Sequence, residues 1–121
     1  MRSNIFKPLK QEYPMLKVYD SMLKPFKGLG GGAIVIVYGS VASGKSRTDS
    51  DIDIAVVSRG KAAWEKADSI ADKILLEHGK VVSIAKFTPS QFASRENSSF
   101  AREVLKGVVI HGKRSGLEGA G

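Results

Sequence analysis

From Pro14 onward the apolar residues Met15, Tyr19, Met22 and Phe26 recur at helical intervals. That spacing predicts one buried face of a helix, with Pro14 acceptable in its first turn and Pro25 ending or kinking it. The stretch "GLGGG" (28–32) predicts a flexible turn. It precedes a strand instead of following one, so it is not a dinucleotide-binding fingerprint. The period then changes. "AIVIVY" (33–38) is a continuous, largely β-branched run and predicts a strand buried on both faces. "DIDIAVV" (51–57) predicts a second strand. Between 61 and 77 the apolar side chains at 63, 67, 70, 71, 74 and 75 return to helical spacing, and Gly79 supplies a stop. "KVVSIAKF" (80–87) predicts a third strand. Thr88 as N-cap and Pro89 at N1 then open a helical turn. "SSFAREVLKG" predicts a short helix stopped by Gly107, "VVIHG" a last strand, and "KRSGLEGAG" a disordered tail. No internal repeat is visible.

The 121 residues are expected to form a single domain, with a helical segment over 1–30 and a tail over 114–121. No apolar run approaches the ~20 residues of a membrane span, and "MRSNIFKPLK" lacks the apolar region of a secretory signal. With no cysteine, disulfides and thiolate metal sites are excluded. A cytoplasmic location and no membrane partner are the expectations. His78 and His111 lie far apart and lack ligand-like spacing. The formal net charge of +7 favours polyanionic partners, nucleotide or nucleic acid, but by itself describes only solvated surface.

Residues 38–46 read "YGSVASGKS", which contains the G-x-x-x-x-G-K-S spelling of a phosphate-binding P-loop. A P-loop must open a long helix. Here "RTDSD" follows and leads into a strand, and no later apolar strand ends in a magnesium-binding Asp. The acidic cluster Asp49, Asp51, Asp53 is not an EF-hand either, because Ile54 and Gly60 occupy the positions that need Gly and Glu. Asp49 reads as part of a solvated turn. Asp51 and Asp53 open a strand, and alternate strand residues face the same way, about 7 Å apart. Such a pair can bracket one or two divalent ions for phosphoryl transfer. Gly39 lets backbone approach a phosphate, and Ser40 offers a hydroxyl and an N–H.

"VYGSVASGKSRTDSDIDIAVV" resembles the minimal nucleotidyltransferase motif of the DNA polymerase beta superfamily: apolar strand, G-S, ten residues, S-D-x-D, apolar strand. The later segment "GKVVSIAKFTPSQFASRENSSFAREVLKGVVIHGK" is similar to small bacterial and archaeal nucleotidyltransferase domains often attached to helix-turn-helix segments. The resemblance spans about residues 12–113. It implies an α/β (α+β) nucleotidyltransferase fold, a small mixed sheet with helices mainly on one side. It implies nucleotide contacts at Gly39 and Ser40, and Mg²⁺ or Mn²⁺ at Asp51 and Asp53, which would be the catalytic residues. Lys45 and Arg47 can supply positive charge where Ser43 replaces the arginine common in the family.

The resemblance implies a third carboxylate, which active members of the superfamily place on the strand after the helix and many chains of the subgroup lack. The strand 80–87 has no Asp or Glu, and the position falls on Ser83 or Ile84. An acceptor hydroxyl then lacks its obvious base. The leading expectation is Mg²⁺-dependent transfer of a nucleoside monophosphate from an NTP, with ATP as donor, to an acceptor hydroxyl. That hydroxyl can lie on a small helical partner protein, in the manner of an antitoxin acting on a toxin. The alternatives are a nucleotide-binding regulatory module without turnover, and a nucleic-acid-associated protein using Lys7, Lys10, Lys17, Lys24 and Lys27.

Overall fold

The computed structural model describes residues 19–30, 32–43 and 51–113. The N-terminal α1 (Asp20–Leu23) passes directly into a 3₁₀ turn over Lys24–Gly28, with Pro25 near its start. Pro25 therefore changes the helix type and ends the α-helical ladder, as a residue without an N–H must. The expected helix start at Pro14 and Met15 lies outside the described residues, as do the tail over 114–121 and the P-loop-like Gly44, Lys45 and Ser46. The remaining elements are β1 (Ile34–Tyr38), α2 (Ser40–Ser43), β2 (Ile52–Val57), α3 (Lys61–His78), β3 (Val82–Phe87), α4 (Pro89–Ala93), α5 (Ser98–Leu105) and β4 (Val108–His111).

The four strands form one mixed sheet in the order β3-β2-β1-β4. β1 runs antiparallel to β2 and to β4, and β2 runs parallel to β3. A parallel pair needs a long crossover, which α3 supplies. The antiparallel β1–β2 pairing separates this chain from a P-loop protein. Only seven residues lie between Ser43 and Asp51, too few for the long helix a P-loop opens.

Alternation along the strands sends side chains into two cores. On one face Val35, Val37, Ile52, Ile54 and Val56 pack with Ala63, Ala67 and Ile74 of α3 and with Leu23, Phe26 and Leu29 of the N-terminal segment. This is the heavier helical layer. On the other face Ile34, Ile36, Ala55, Val57 and Phe87 pack with Phe92 of α4 and with Ala101 and Val104 of α5. The four residues Ile34 to Val37 are all buried, as a strand covered on both faces requires. Lys80, itself buried, holds its ammonium 5.1 Å from the centre of the Tyr19 ring and so ties the N-terminal segment to the start of β3.

Local signals explain the element ends. Gly79 takes φ 66°, and its N–H donates to the Leu75 carbonyl, closing α3. Thr88 and Gln91 form a reciprocal capping box at α4. One expectation for α3 needs correcting: Leu75, placed by its spacing on the buried face, is 47% exposed. It lies about 100° around the helix from the buried Ile74, which takes it to the margin of the contact.

Candidate functional site

Sheet register brings the sequence-predicted residues to one end of the molecule. Tyr38, the last residue of β1, pairs with Asp53 near the start of β2. Asp53 pairs in turn with Ser83 near the start of β3. At the same end Val37 pairs with Val108, the first residue of β4. Paired residues project from the same face of a sheet, so Tyr38, Asp53 and Ser83 form a row on the face that carries α4 and α5. Asp51, exposed, leads into β2 just ahead of that row.

Gly39 joins the two halves of the motif. It follows Tyr38 at φ 77°, a left-handed conformation that costs any residue with a Cβ. A Cβ built there would stand 2.6 Å from Asp53 Oδ2. Glycine thus serves twice, turning the chain out of β1 and leaving room for the Asp53 carboxylate against the turn. Ser40 opens α2 directly afterwards, and the next two residues, Val41 and Ala42, anchor that short helix in the core. Lys45 and Arg47 lie outside the described residues.

The electrostatics are those of groups that lose hydration first and meet a neighbouring negative charge second. Asp53 is half-buried, and loss of hydration raises its pKa above the usual carboxylate value; the negative charge of Asp51 raises it further. Tyr38 is pushed upward too, first by burial and then by Asp53. The donor chemistry fits a hard divalent cation. Magnesium is commonly held by one or two carboxylates, with phosphate oxygens and water filling the remaining positions. Among the described residues no group of three His, Cys, Asp or Glu side chains gathers around one point. Two carboxylates are what these residues provide, and Ser83 stands across the ladder from Asp53.

Sequence reasoning passed over what flanks this row. Phe100 of α5 sets its ring edge-on to Tyr38, with centroids 5.5 Å apart, and lies 5.7 Å from Phe87. The α5–β4 connection approaches β1 closely enough that a Cβ on Gly107 would run into the Val37 carbonyl oxygen. Strand parity could have placed Tyr38 beside Asp53, but nothing local in the sequence pairs Phe100 with either. A separate open groove of about 460 Å³ runs beside β3 and α4, lined by Lys86, Gln91 and Asn97 among others, and holds none of the predicted site residues.

Known proteins are similar to this chain in sequence and fold. The chain is 33% identical over 78 residues to a protein of Methanocaldococcus jannaschii named "Putative protein adenylyltransferase", covering 64% of this chain and 76% of that one. Two solved structures have the same fold. One is a toxin–antitoxin with AMP-PNP (TM-score 0.57, 21% identity, 84% of this chain and 78% of that chain). The other is the toxin–antitoxin MntA–HpeT with two Asp-to-Glu substitutions two positions apart (TM-score 0.54, 19% identity, 84% of this chain and 78% of that chain). The family profile described as Polymerase beta, Nucleotidyltransferase matches residues 32–115, and the chain belongs to that family.

Proposed function

We propose that this protein transfers a nucleoside monophosphate from an NTP, with ATP as donor, to a hydroxyl on a partner protein. The observation that carries the reading is the fit of Gly39 against the Asp53 carboxylate, which makes one site of the glycine turn and the Asp-x-Asp pair. In the reaction the acceptor oxygen bonds to the α-phosphorus as the bond from that phosphorus to the β-phosphate oxygen breaks. Pyrophosphate leaves, and the hydroxyl proton passes to water. Asp51 and Asp53 would hold Mg²⁺ or Mn²⁺, which when bound neutralises the charge on the phosphates. The backbone at Gly39 and Ser40 lies against the triphosphate, oriented by the turn out of β1. The adenylyltransferase name of the M. jannaschii relative and the toxin–antitoxin assemblies among the structural neighbours support a protein acceptor.

The pairing of Asp53 with Ser83 favours a second reading, a binding module that holds Mg·NTP with slow turnover. A built-in general base contributes about 10²–10⁴-fold, and serine does not serve as one at neutral pH. Incubation with α-labelled ATP, Mg²⁺ and candidate partner proteins separates the readings. Transfer predicts a labelled partner with the wild type and none with Asp51→Ala/Asp53→Ala. Nucleotide binding without label favours the binding module. Absence of nucleotide binding at millimolar NTP overturns both.

A further inference from the structure

Phe100 is 39% exposed although its ring packs against two other aromatic rings. The other large exposed apolar residues among those described are aliphatic: Leu75 and Leu76 at the end of α3, and Val81 before β3. Phe100 alone of these lies in contact with the row that contains Asp53. Its ring is held by contacts with the rings of Tyr38 and Phe87. Gly107, packed without a Cβ against the end of β1, holds the end of α5 beside that strand. The ring is therefore pre-positioned, with part of its surface open to solvent.

We propose that Phe100 is the stacking platform for the base of the bound nucleoside triphosphate. This rests on reading Gly39, Asp51 and Asp53 as the triphosphate site. Tyr38 and Asp53 are opposite neighbours on adjacent strands, a spacing of about 4.5–5.5 Å, and Phe100 lies one ring contact beyond Tyr38. The ring that Tyr38 touches therefore stands next to the row that would hold the phosphates and their cation. The polarity matches as well: acidic residues and backbone stand where phosphates and cation bind, and an open aromatic ring stands where the base, the planar and least polar part of the ligand, would extend. Stacking accepts any base, because every base has a π-face. Phe100 is accordingly an affinity determinant that leaves the choice of base to other groups.

The test compares Mg·ATP with Mg·tripolyphosphate, which carries the same kind of phosphate chain and no base. Binding of each is measured by calorimetry for the wild type, Phe100→Leu and Phe100→Trp. Leucine preserves apolar packing on Tyr38 and Phe87 but offers no ring, and melting temperature verifies that the variant folds. The expected result is ATP binding about 5- to 150-fold weaker for Phe100→Leu, unchanged tripolyphosphate binding, and wild-type ATP affinity for Phe100→Trp. ATP affinity that is unchanged by Phe100→Leu, or lost in parallel with tripolyphosphate, overturns the platform. Failure of the wild type to bind either ligand with Mg²⁺ overturns the triphosphate site itself and the platform with it.

Discussion

Asp53 Oδ2 occupies the space where any other side chain at position 39 would begin. Alanine at this position meets two penalties at once. The left-handed backbone costs about 1–2 kcal/mol for a residue with a Cβ, and the new methyl must displace the carboxylate. The first penalty falls on stability, the second on the site. Gly39→Ala should therefore lower the urea midpoint modestly and weaken Mg·ATP binding by more than that loss of stability accounts for. Chemical denaturation and calorimetry on one preparation check this, and unchanged nucleotide affinity in a measurably less stable variant would separate Gly39 from the site. Residue-scale legibility divides along the same line. Gly39, Asp51 and Asp53 could be read because their spacing along the chain encodes a local turn and a strand face. The Tyr38–Phe100 contact could not, because it joins residues 62 positions apart, across the whole of α3 and β3. Gly107 read only as a helix stop, although its lack of a side chain also matters to the packing of β1.

At the scale of elements, periodicity located nearly every strand and helix, because burial on a sheet face or helix face is written locally. What it missed were matters of context. Pro25 ends the α-helical ladder as expected, but a 3₁₀ turn that the pattern did not show continues the segment, and Leu75 falls at the margin of the α3 contact. Pairing between strands is also absent from local pattern, and β3 shows the consequence. Its register, Asp53 opposite Ser83, decides which β3 position can join the carboxylates. Ser83→Asp should add a third acid to the row. Like charges directly opposite each other destabilise a sheet, so the variant should melt below the wild type in the absence of divalent ions. Mg²⁺ or Mn²⁺ should recover the difference by bridging the carboxylates. If a general base is what the wild type lacks, transfer to an acceptor should rise by up to about 10²–10⁴-fold. Thermal melts with and without metal provide the check, and a variant whose melting point ignores divalent ions would remove β3 from the site.

Over the whole molecule, the candidate site works against the stability of the fold that presents it. A carboxylate in a folded protein usually gains partners, its pKa falls, and stability is lost toward acid. Asp53 runs the other way, since burial and then Asp51 raise its pKa above the ordinary 3.8. Below that ordinary value the group is protonated in both the folded and unfolded chains and contributes nothing. As pH rises through the window between the ordinary and the raised value, the unfolded chain gives up this proton while the folded chain retains it. The Asp53 contribution to stability therefore falls with rising pH and remains lower above the window. Asp53→Asn removes this dependence. In metal-free buffer at neutral pH the variant should melt above the wild type, and the gap should close as the pH is lowered toward 4. Mg²⁺ together with ATP should reverse the order, because binding to the folded state stabilises only the protein that can hold the ligand. Melting curves from pH 4 to 8, with EDTA or with Mg·ATP, read both effects. Subtracting variant from wild type at each pH cancels the titration of the groups that do not interact with Asp53. A wild type that is the more stable of the two in EDTA at neutral pH would mean that the Asp53 carboxylate already has a favourable partner within the protein, and is not held in reserve for a cation.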